Sequence, residues 1–152
     1  MKWYFCWCQE TEFRKDHNWE ELIKISVESA LSNTDLEPNF IYDGNPSALT
    51  EFLEKRGVKI HYHRLSFEEK INQYTQDPQY RSVARGAFLR FDIPLLEKDD
   101  KYVLYTDADV IFSSGKEIFK GYDPEYLAAA PQFDRGSLSD MNSGVMIMNL
   151  DS

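Results

Sequence analysis

Two carboxylates, Asp107 and Asp109, stand out in this 152-residue chain as a pair whose type and spacing could carry chemistry. They directly follow residues 102–105, a run of strand-forming side chains that is typical of a buried strand. Burying an unpaired carboxylate at such a position costs a large amount of free energy, so the pair requires a cation. A divalent metal that also holds phosphate oxygens is the simplest choice, and Mg²⁺ or Mn²⁺ suits oxygen ligands. The alternative is a solvated turn capped by the Asp side chains.

A second polar group, Asn142-Ser143-Gly144, leads into the apolar run 145–150. Glycine lets the backbone approach a ligand closely, and the Asn142 amide can both donate to and accept from sugar hydroxyls. These residues are also common in ordinary turns, so an ordinary turn is the competing interpretation.

Arg90 lies before the acidic strand, on a predicted helix. Its planar guanidinium could contact a phosphate through two nitrogens. Alternatively it is a surface arginine, which is the usual fate of this residue type.

The elements that must position these groups alternate along the chain. Apolar and alternating runs predict strands at 2–8, 40–42, 58–63, 102–106, 127–130 and 145–150. Capping residues predict helices starting at Asn18, Asn45, Ser66 and Asp77, with a short helical turn at 123–124. Gly57 is the predicted C-terminal stop of the second of these helices. The last long helix would bury a stripe formed by Ala84, Ala87, Phe88 and Phe91. This alternation predicts an α/β fold with a mostly parallel sheet, whose ligands bind at the carboxyl ends of the strands.

Composition narrows the function classes. The chain is 42% hydrophobic and 14% aromatic, which excludes a disordered composition. The net charge of −9 argues against nonspecific nucleic-acid binding, which depends on clustered Lys and Arg. No apolar run is long enough to span a bilayer, and the N-terminus does not resemble a signal peptide. We therefore expect a cytoplasmic protein without a transmembrane segment, or a chain trimmed of its anchor.

Two pairs of potential metal ligands, Cys6 with Cys8 and His61 with His63, each share one face of a predicted strand. Neither pair completes a zinc site, which needs four ligands. We interpret both pairs as structural, with the cysteines buried as small hydrophobic residues.

Taken together, three segments resemble glycosyltransferase family 8, a family of retaining enzymes with a GT-A fold that use nucleotide sugars. The segments are Arg90-x-x-Ile93-Pro94-x-Leu96, the run from Tyr102 to Val110, and the run from Asn142 to Leu150. Their order and spacing both match, and the resemblance covers residues 81–150.

The resemblance implies roles for individual residues. Asp107 and Asp109 would bind Mn²⁺ or Mg²⁺, and Asp107 with its neighbour Ala108 would also contact the donor. Arg90 would meet the sugar or phosphate of the donor. The sugar pocket would be lined by Asn142, Ser143 and Gly144, with looser matches at Gln132 and Asp134. The donor would be a nucleotide-diphosphate sugar, with UDP-sugar the favoured type, and the acceptor an unidentified glycan, lipid or protein.

Family members continue well beyond the last matching strand and supply a late His as a third metal ligand. We therefore expect residues 1–152 to form a single GT-A-like nucleotide-sugar-binding domain that is incomplete at the C-terminus. Two other functions stay open. One is a noncatalytic module that binds a nucleotide sugar or a partner. The other is a haloacid dehalogenase-like phosphatase, whose nucleophile motif Asp107-Ala108-Asp109-Val110 also fits.

Overall fold

A computed structural model describes residues 1–10, 18–113, 121–133 and 140–151. Its described part contains one six-stranded sheet. The strands are β1 (Lys2–Cys8), β2 (Glu37–Asp43), β3 (Lys59–Tyr62), β4 (Tyr102–Thr106), β5 (Leu127–Pro131) and β6 (Met141–Asn149).

The sheet has the strand order β3-β2-β1-β4-β6-β5. Neighbours from β3 to β4 are parallel, whereas β6 runs antiparallel to both β4 and β5. Since β5 is antiparallel to β6, β5 points in the same direction as the first four strands. The predicted α/β fold with a mostly parallel sheet is confirmed. The carboxyl ends of β1 and β4 therefore lie side by side.

Helices connect the parallel strands. They are α1 (Trp19–Asn33), α2 (Ala48–Lys55), α3 (Glu68–Tyr74), α4 (Pro78–Phe88) and α5 (Ile93–Leu96), with a 3-10 turn at Leu89–Asp92 between the last two. Asn18 and Asp77 cap α1 and α4 as predicted. Gly57, the predicted stop after α2, has a φ of 81°, a conformation that glycine adopts without steric cost.

Both faces of the sheet are covered because side chains alternate along each strand. On one face Trp3 and Phe5 of β1 pack against α1 and α2 through Ile23 and Leu53. On the other face, a second core contains the following residues from β1, β4, α3, α4 and the segment 89–93: Tyr4, Cys6, Ile71, Ala84, Leu89, Ile93, Val103 and Tyr105. The sheet is thus the middle of three layers, as parallel sheets require.

Two predicted helix starts were wrong. Helix α2 begins at Ala48, because its N-cap is Ser47, which forms a capping box with Thr50, and not the predicted Asn45. Ser66 does not cap α3. Its backbone N–H and its hydroxyl both donate to the Asp92 carboxylate, at 2.7 Å and 2.6 Å.

The predicted stripe of α4 was also partly wrong. The chain tightens into the 3-10 turn after Phe88, and this change of period buries Leu89 while leaving Phe91 56% exposed. Residues 123–124 form no helix. Strand β6 begins at Met141, so Asn142, Ser143 and Gly144 belong to the strand and do not form a corner before it.

Both cysteines are buried and neither is in a disulfide, in agreement with the structural interpretation. Nε2 of His61 lies 3.0 Å from Asn39 Oδ1, and Nε2 of His63 lies 2.8 Å from Asp92 Oδ2. Within the described ranges, no helix is long and apolar enough to cross a membrane.

Candidate active site

Asp107 and Asp109 line a cleft of about 240 Å³ beside the carboxyl ends of β1 and β4. The other lining residues come from β1, α1, α4, the 3-10 turn and β4: Cys6, Trp7, Trp19, Val83, Gly86, Ala87, Arg90, Tyr105 and Ala108. The sequence predicted this edge of the sheet as the ligand-binding edge, and the acidic pair lies there.

The carboxylate of Asp107 is held by two side chains. Its Oδ1 accepts a hydrogen bond from Arg90 Nη2 at 3.0 Å and another from the Tyr105 hydroxyl at 2.8 Å. Tyr105 reaches it because residues two apart on a strand point to the same face. The described residues donate no hydrogen bond to Oδ2, so this oxygen has lone pairs that a ligand can use.

Arg90 connects three segments of the chain. Its Nε donates to the Ala87 carbonyl and its Nη1 donates to the Ser143 carbonyl, both at 2.6 Å. Its Cζ lies 4.4 Å from the centre of the Tyr105 ring, a cation–π contact. The side chain is only 10% exposed. Arg90 is therefore an internal arginine, and the surface interpretation is wrong.

Strand β6 brings Gly144 against Asp107. The Asp107 N–H donates to the Gly144 carbonyl at 2.8 Å, continuing the β4–β6 ladder beyond Thr106. A Cβ added to Gly144 would lie 2.9 Å from Asp107 Oδ2 and 3.0 Å from Asn142 Oδ1. A side chain at position 144 would therefore force these two side-chain oxygens to move, although the φ of Gly144 is not positive.

Thr106 anchors the backbone of Asp107 from the other side. Its hydroxyl accepts from Trp3 Nε1 and donates to the Asp107 carbonyl, each at 2.9 Å. This fully buried hydroxyl has a partner in each role, which removes the cost of burying it.

Asp109 is exposed, and the intervening Ala108 is buried. The pair therefore combines a fixed carboxylate at 107 with a solvent-facing one at 109. No group of three or more His, Cys, Asp or Glu side chains in the described ranges is arranged to hold a metal. Two hard oxygen donors still fit Mg²⁺ or Mn²⁺, since Mg²⁺ sites commonly use one or two carboxylates with water and substrate phosphates completing the shell.

Burial raises the pKa of Tyr105 far above its ordinary value. Its hydroxyl consequently stays protonated at physiological pH and keeps donating to Asp107. Burial also raises the pKa of the Cys6 thiol, so this cleft residue is a neutral side chain and not a nucleophilic thiolate.

The structure brings Arg90, Asp107, Ala108, Asp109 and Gly144 together. Asn142 and Ser143 are next to them but do not line the cleft with their side chains. Asn142 Oδ1 accepts from the Gly144 N–H at 2.8 Å, and Ser143 contributes its carbonyl to Arg90. Gln132 is exposed and its N–H donates to the Asp140 carbonyl, outside the cleft. Asp134 lies outside the described residues.

Sequence analysis missed Tyr105, Trp7 and Trp19 as site residues. The two indole rings are 4.8 Å apart between centroids, and both residues line the cleft. The sequence analysis assigned Trp7 to a strand and Trp19 to the start of a helix, where aromatic side chains usually belong to the hydrophobic core. The one available signal was Tyr105, which precedes Asp107 by two positions on a strand and so had to share its face.

Three solved structures with a similar fold are glycosyltransferases. The glycosyltransferase GlyE of Streptococcus pneumoniae TIGR4, in its apo form, superposes with a TM-score of 0.64 at 18% identity, over 98% of this chain and 34% of GlyE. The galactosyltransferase LgtC, solved with donor and acceptor sugar analogues, gives 0.68 at 18% identity, over 99% of this chain and 58% of LgtC. Mouse xyloside xylosyltransferase 1 gives 0.65 at 13% identity, over 99% and 67%.

This likeness confirms the GT-A-like α/β fold. The chain spans about a third of GlyE and less than two thirds of LgtC. No protein-family model matches the sequence, and neither does any curated protein.

Proposed function

We propose that this chain is the donor-binding part of a metal-dependent glycosyltransferase of the hexosyltransferase type, related to glycosyltransferase family 8. Residues 1–152 would form one domain that binds a nucleotide-diphosphate sugar, with a UDP-sugar as the expected donor. The acceptor is an unidentified glycan, lipid or protein.

The observation that carries this proposal is the construction around Asp107. A half-exposed carboxylate is fixed through one oxygen by Arg90 and Tyr105, while the other oxygen faces the space that Gly144 leaves. Such support is typical of a carboxylate that must hold a ligand in one orientation. A surface turn capped by Asp side chains would not need it.

Asp107 and Asp109 would hold Mg²⁺ or Mn²⁺, which supplies Lewis-acid stabilisation of the diphosphate leaving group when bound. The chain's own residues orient the donor. Asp107 is held in its orientation by the adjacent guanidinium, and exposed Asp109 can turn toward the diphosphate side of the cleft. The rings of Trp7 and Trp19 give the cleft an aromatic lining that suits the flat nucleobase.

Arg90 acts chiefly as a positioning residue in this proposal. Each of its three nitrogens already donates to a protein oxygen. Nη1 and Nη2 each carry a second hydrogen, so contact with the donor is compatible with these bonds. Asn142, Ser143 and Gly144 would meet the sugar at the rim of the cleft.

Calorimetry with Mn²⁺ and a panel of nucleotide sugars tests the proposal. We expect at least one donor to bind only when the metal is present, and Asp109→Ala to abolish that binding. Asp99→Ala is the matched control. Asp99 is also an exposed aspartate near β4, with a side chain that is 90% exposed, but it lies outside the cleft.

Turnover of the bound donor separates the remaining functions. Transfer or donor hydrolysis by the wild type supports the transferase, whereas metal-dependent binding without either would mean a noncatalytic module. A covalent phosphate trapped on Asp107 would mean a phosphatase. Absence of any metal-dependent binding would overturn the proposal. The solved structures reported above do not favour the two alternatives.

A further inference from the structure

Asp92 is a buried carboxylate that is bonded to the connection between β3 and α3. Its Oδ1 accepts from the Ser66 hydroxyl at 2.6 Å, and its Oδ2 accepts from the Ser66 N–H at 2.7 Å. Nε2 of His63 lies 2.8 Å from the same Oδ2. Burial acts to raise the pKa of Asp92, but the hydrogen bonds from Ser66 and His63 outweigh it and lower the pKa. An ionised carboxylate only accepts, so His63 is the donor in this contact.

Ser, His and Asp are the residue types of a hydrolase triad, but their arrangement here does not suit nucleophilic catalysis. In a triad the imidazole lies between the carboxylate and the hydroxyl and takes the proton of the hydroxyl. The Ser66 hydroxyl instead donates to Asp92, and in the described part of the chain no hydrogen bond joins it to His63. Both residues therefore serve to hold Asp92.

Asp92 and Arg90 belong to the same short 3-10 turn, Leu89–Asp92, and anchor it on two sides. Arg90 reaches the ends of β4 and β6, where it donates to Asp107 and to the Ser143 carbonyl. Asp92 reaches the segment that follows β3. In the sheet, β2 and β1 lie between β3 and β4, so the two anchors are several strands apart.

The turn depends on these anchors. The hydrogen bonds of a 3-10 helix have poorer geometry than those of an α-helix, so a four-residue turn does little to hold itself. Leu89 is fully buried and fixes its beginning, whereas Phe91 is 56% exposed and packs little. The Asp92 carboxylate is thus the main side-chain anchor of the end of the turn. Without it, the backbone that carries Arg90 is free to shift.

We propose that Asp92 is a positioning residue for Arg90 and, through Arg90, for the Asp107 carboxylate. Asp92 does not line the cleft that contains Asp107, so it acts by fixing the turn and not by contact with a ligand. The effect on Arg90 follows from the fold alone. The consequence for metal binding rests on the proposed function.

Hydrogen exchange of the Arg90 Nε–H, followed by NMR without metal, tests the positioning itself. This group donates to the Ala87 carbonyl at 2.6 Å and should be protected in the wild type. Asp92→Asn should speed its exchange about tenfold or more, because charge-assisted hydrogen bonds are lost.

Ser66→Ala provides a milder test, since Ser66 is exposed and Asp92 stays intact. The loss of one hydrogen bond should speed the exchange of the Arg90 Nε–H about fivefold. Ser66→Thr keeps the hydroxyl and should exchange like the wild type. Circular dichroism should show that the variants remain folded.

Calorimetric titration with Mn²⁺ tests the consequence for Asp107. Asp92→Asn should weaken Mn²⁺ binding about tenfold, the lower end of the range for residues that support a metal ligand. If Asp92 acts through Arg90, the two changes cannot add. The double variant Asp92→Asn/Arg90→Lys should therefore bind Mn²⁺ within about twofold of Arg90→Lys alone.

Glu97→Gln is the matched control. Glu97 is also a buried carboxylate with several donors, but these are Lys2 and Tyr4 at the start of β1 and two backbone amides that follow Glu97. It should lose stability while the exchange of the Arg90 Nε–H and the affinity for Mn²⁺ stay as in the wild type.

Three outcomes would overturn the proposal. One is unchanged exchange of the Arg90 Nε–H in folded Asp92→Asn and Ser66→Ala. Another is an equal increase in Glu97→Gln, which would reflect general destabilisation. The third is additive losses of Mn²⁺ affinity in the double variant. A wild type that binds no Mn²⁺ would overturn the proposed function instead, and the exchange measurements alone would then decide the role of Asp92.

Discussion

Gly144 and Asp107 are in such close contact that a methyl group on the glycine would lie 2.9 Å from the carboxylate oxygen Oδ2. The two residues belong to neighbouring antiparallel strands, and the Asp107 N–H donates to the Gly144 carbonyl. The backbone therefore cannot retreat without breaking this hydrogen bond. Any side chain at 144 has to push the carboxylate away from its position.

Gly144→Ala should accordingly displace Asp107 Oδ2 and lower the affinity for Mn²⁺ about tenfold or more, the range found when the support of a metal ligand is disturbed. Calorimetric titration with Mn²⁺ measures it. Val145→Ala, a change at the next residue of β6 that adds no atom near Asp107, should leave the affinity unaltered. Unchanged Mn²⁺ affinity in Gly144→Ala would show that Oδ2 is not a metal ligand.

Arg90→Lys should reduce Mn²⁺ affinity by roughly 10- to 100-fold, because an ammonium group cannot donate at once to Ala87, Ser143 and Asp107. The same titration measures this change. The matched control is Arg81→Lys on the preceding helix α4, where the arginine donates to Asn72, Thr75 and Gln76 and, among the described residues, to no residue of the cleft. If both variants lose affinity equally, the effect comes from α4 as a whole.

Tyr105→Phe should lower the free energy of unfolding by about 1 kcal/mol, the net value of one hydrogen bond. The ring remains beneath Arg90, so the cation–π contact is preserved. Urea denaturation measures the change. Mn²⁺ affinity should fall as well, since Asp107 then keeps only one of its two side-chain donors. A variant with wild-type stability and affinity would contradict this assignment for the hydroxyl.

Glu97 should make the stability depend on pH in the acid range. Burial acts to raise the pKa of Glu97, but hydrogen bonds from Lys2, from Tyr4 and from the amides of Asp99 and Asp100 outweigh it and lower the pKa to about 2. Since this value lies below the ordinary 4.5, the ionised carboxylate stabilises the folded chain above pH 4.5. That stabilisation is lost as pH falls toward 2.

Glu97→Gln should therefore be less stable than the wild type at neutral pH, by about 1–3 kcal/mol, and the difference should shrink between pH 4.5 and 2. Thermal unfolding at a series of pH values measures both effects. Glu51→Gln, at an exposed glutamate of α2, serves as control and should follow the wild-type curve. A constant difference across this pH range would contradict the lowered pKa.

Local patterns predicted most elements. The alternation of strands and helices, the caps Asn18 and Asp77 and the stop at Gly57 all depend on neighbouring residues, so they can be recognised without knowledge of the fold. The errors arose where a distant partner intervened. Ser66 is a residue type that often caps helices. Its backbone N–H and its hydroxyl instead both donate to the Asp92 carboxylate, which is 26 residues away in sequence.

By itself, the sequence determined that two carboxylates follow a buried strand of a mostly parallel sheet, because the strand period is encoded locally and such sheets bind ligands at the carboxyl ends of their strands. Only the tertiary structure decided how Asp107 is held. Its contacts with Arg90 and Gly144 depend on β6 pairing antiparallel with β4, and the Arg90–Ser143 bond spans 53 residues of sequence. A cleft of about 790 Å³ that Tyr62 and Arg85 help to line likewise arises only where β1, β2 and β3 end together.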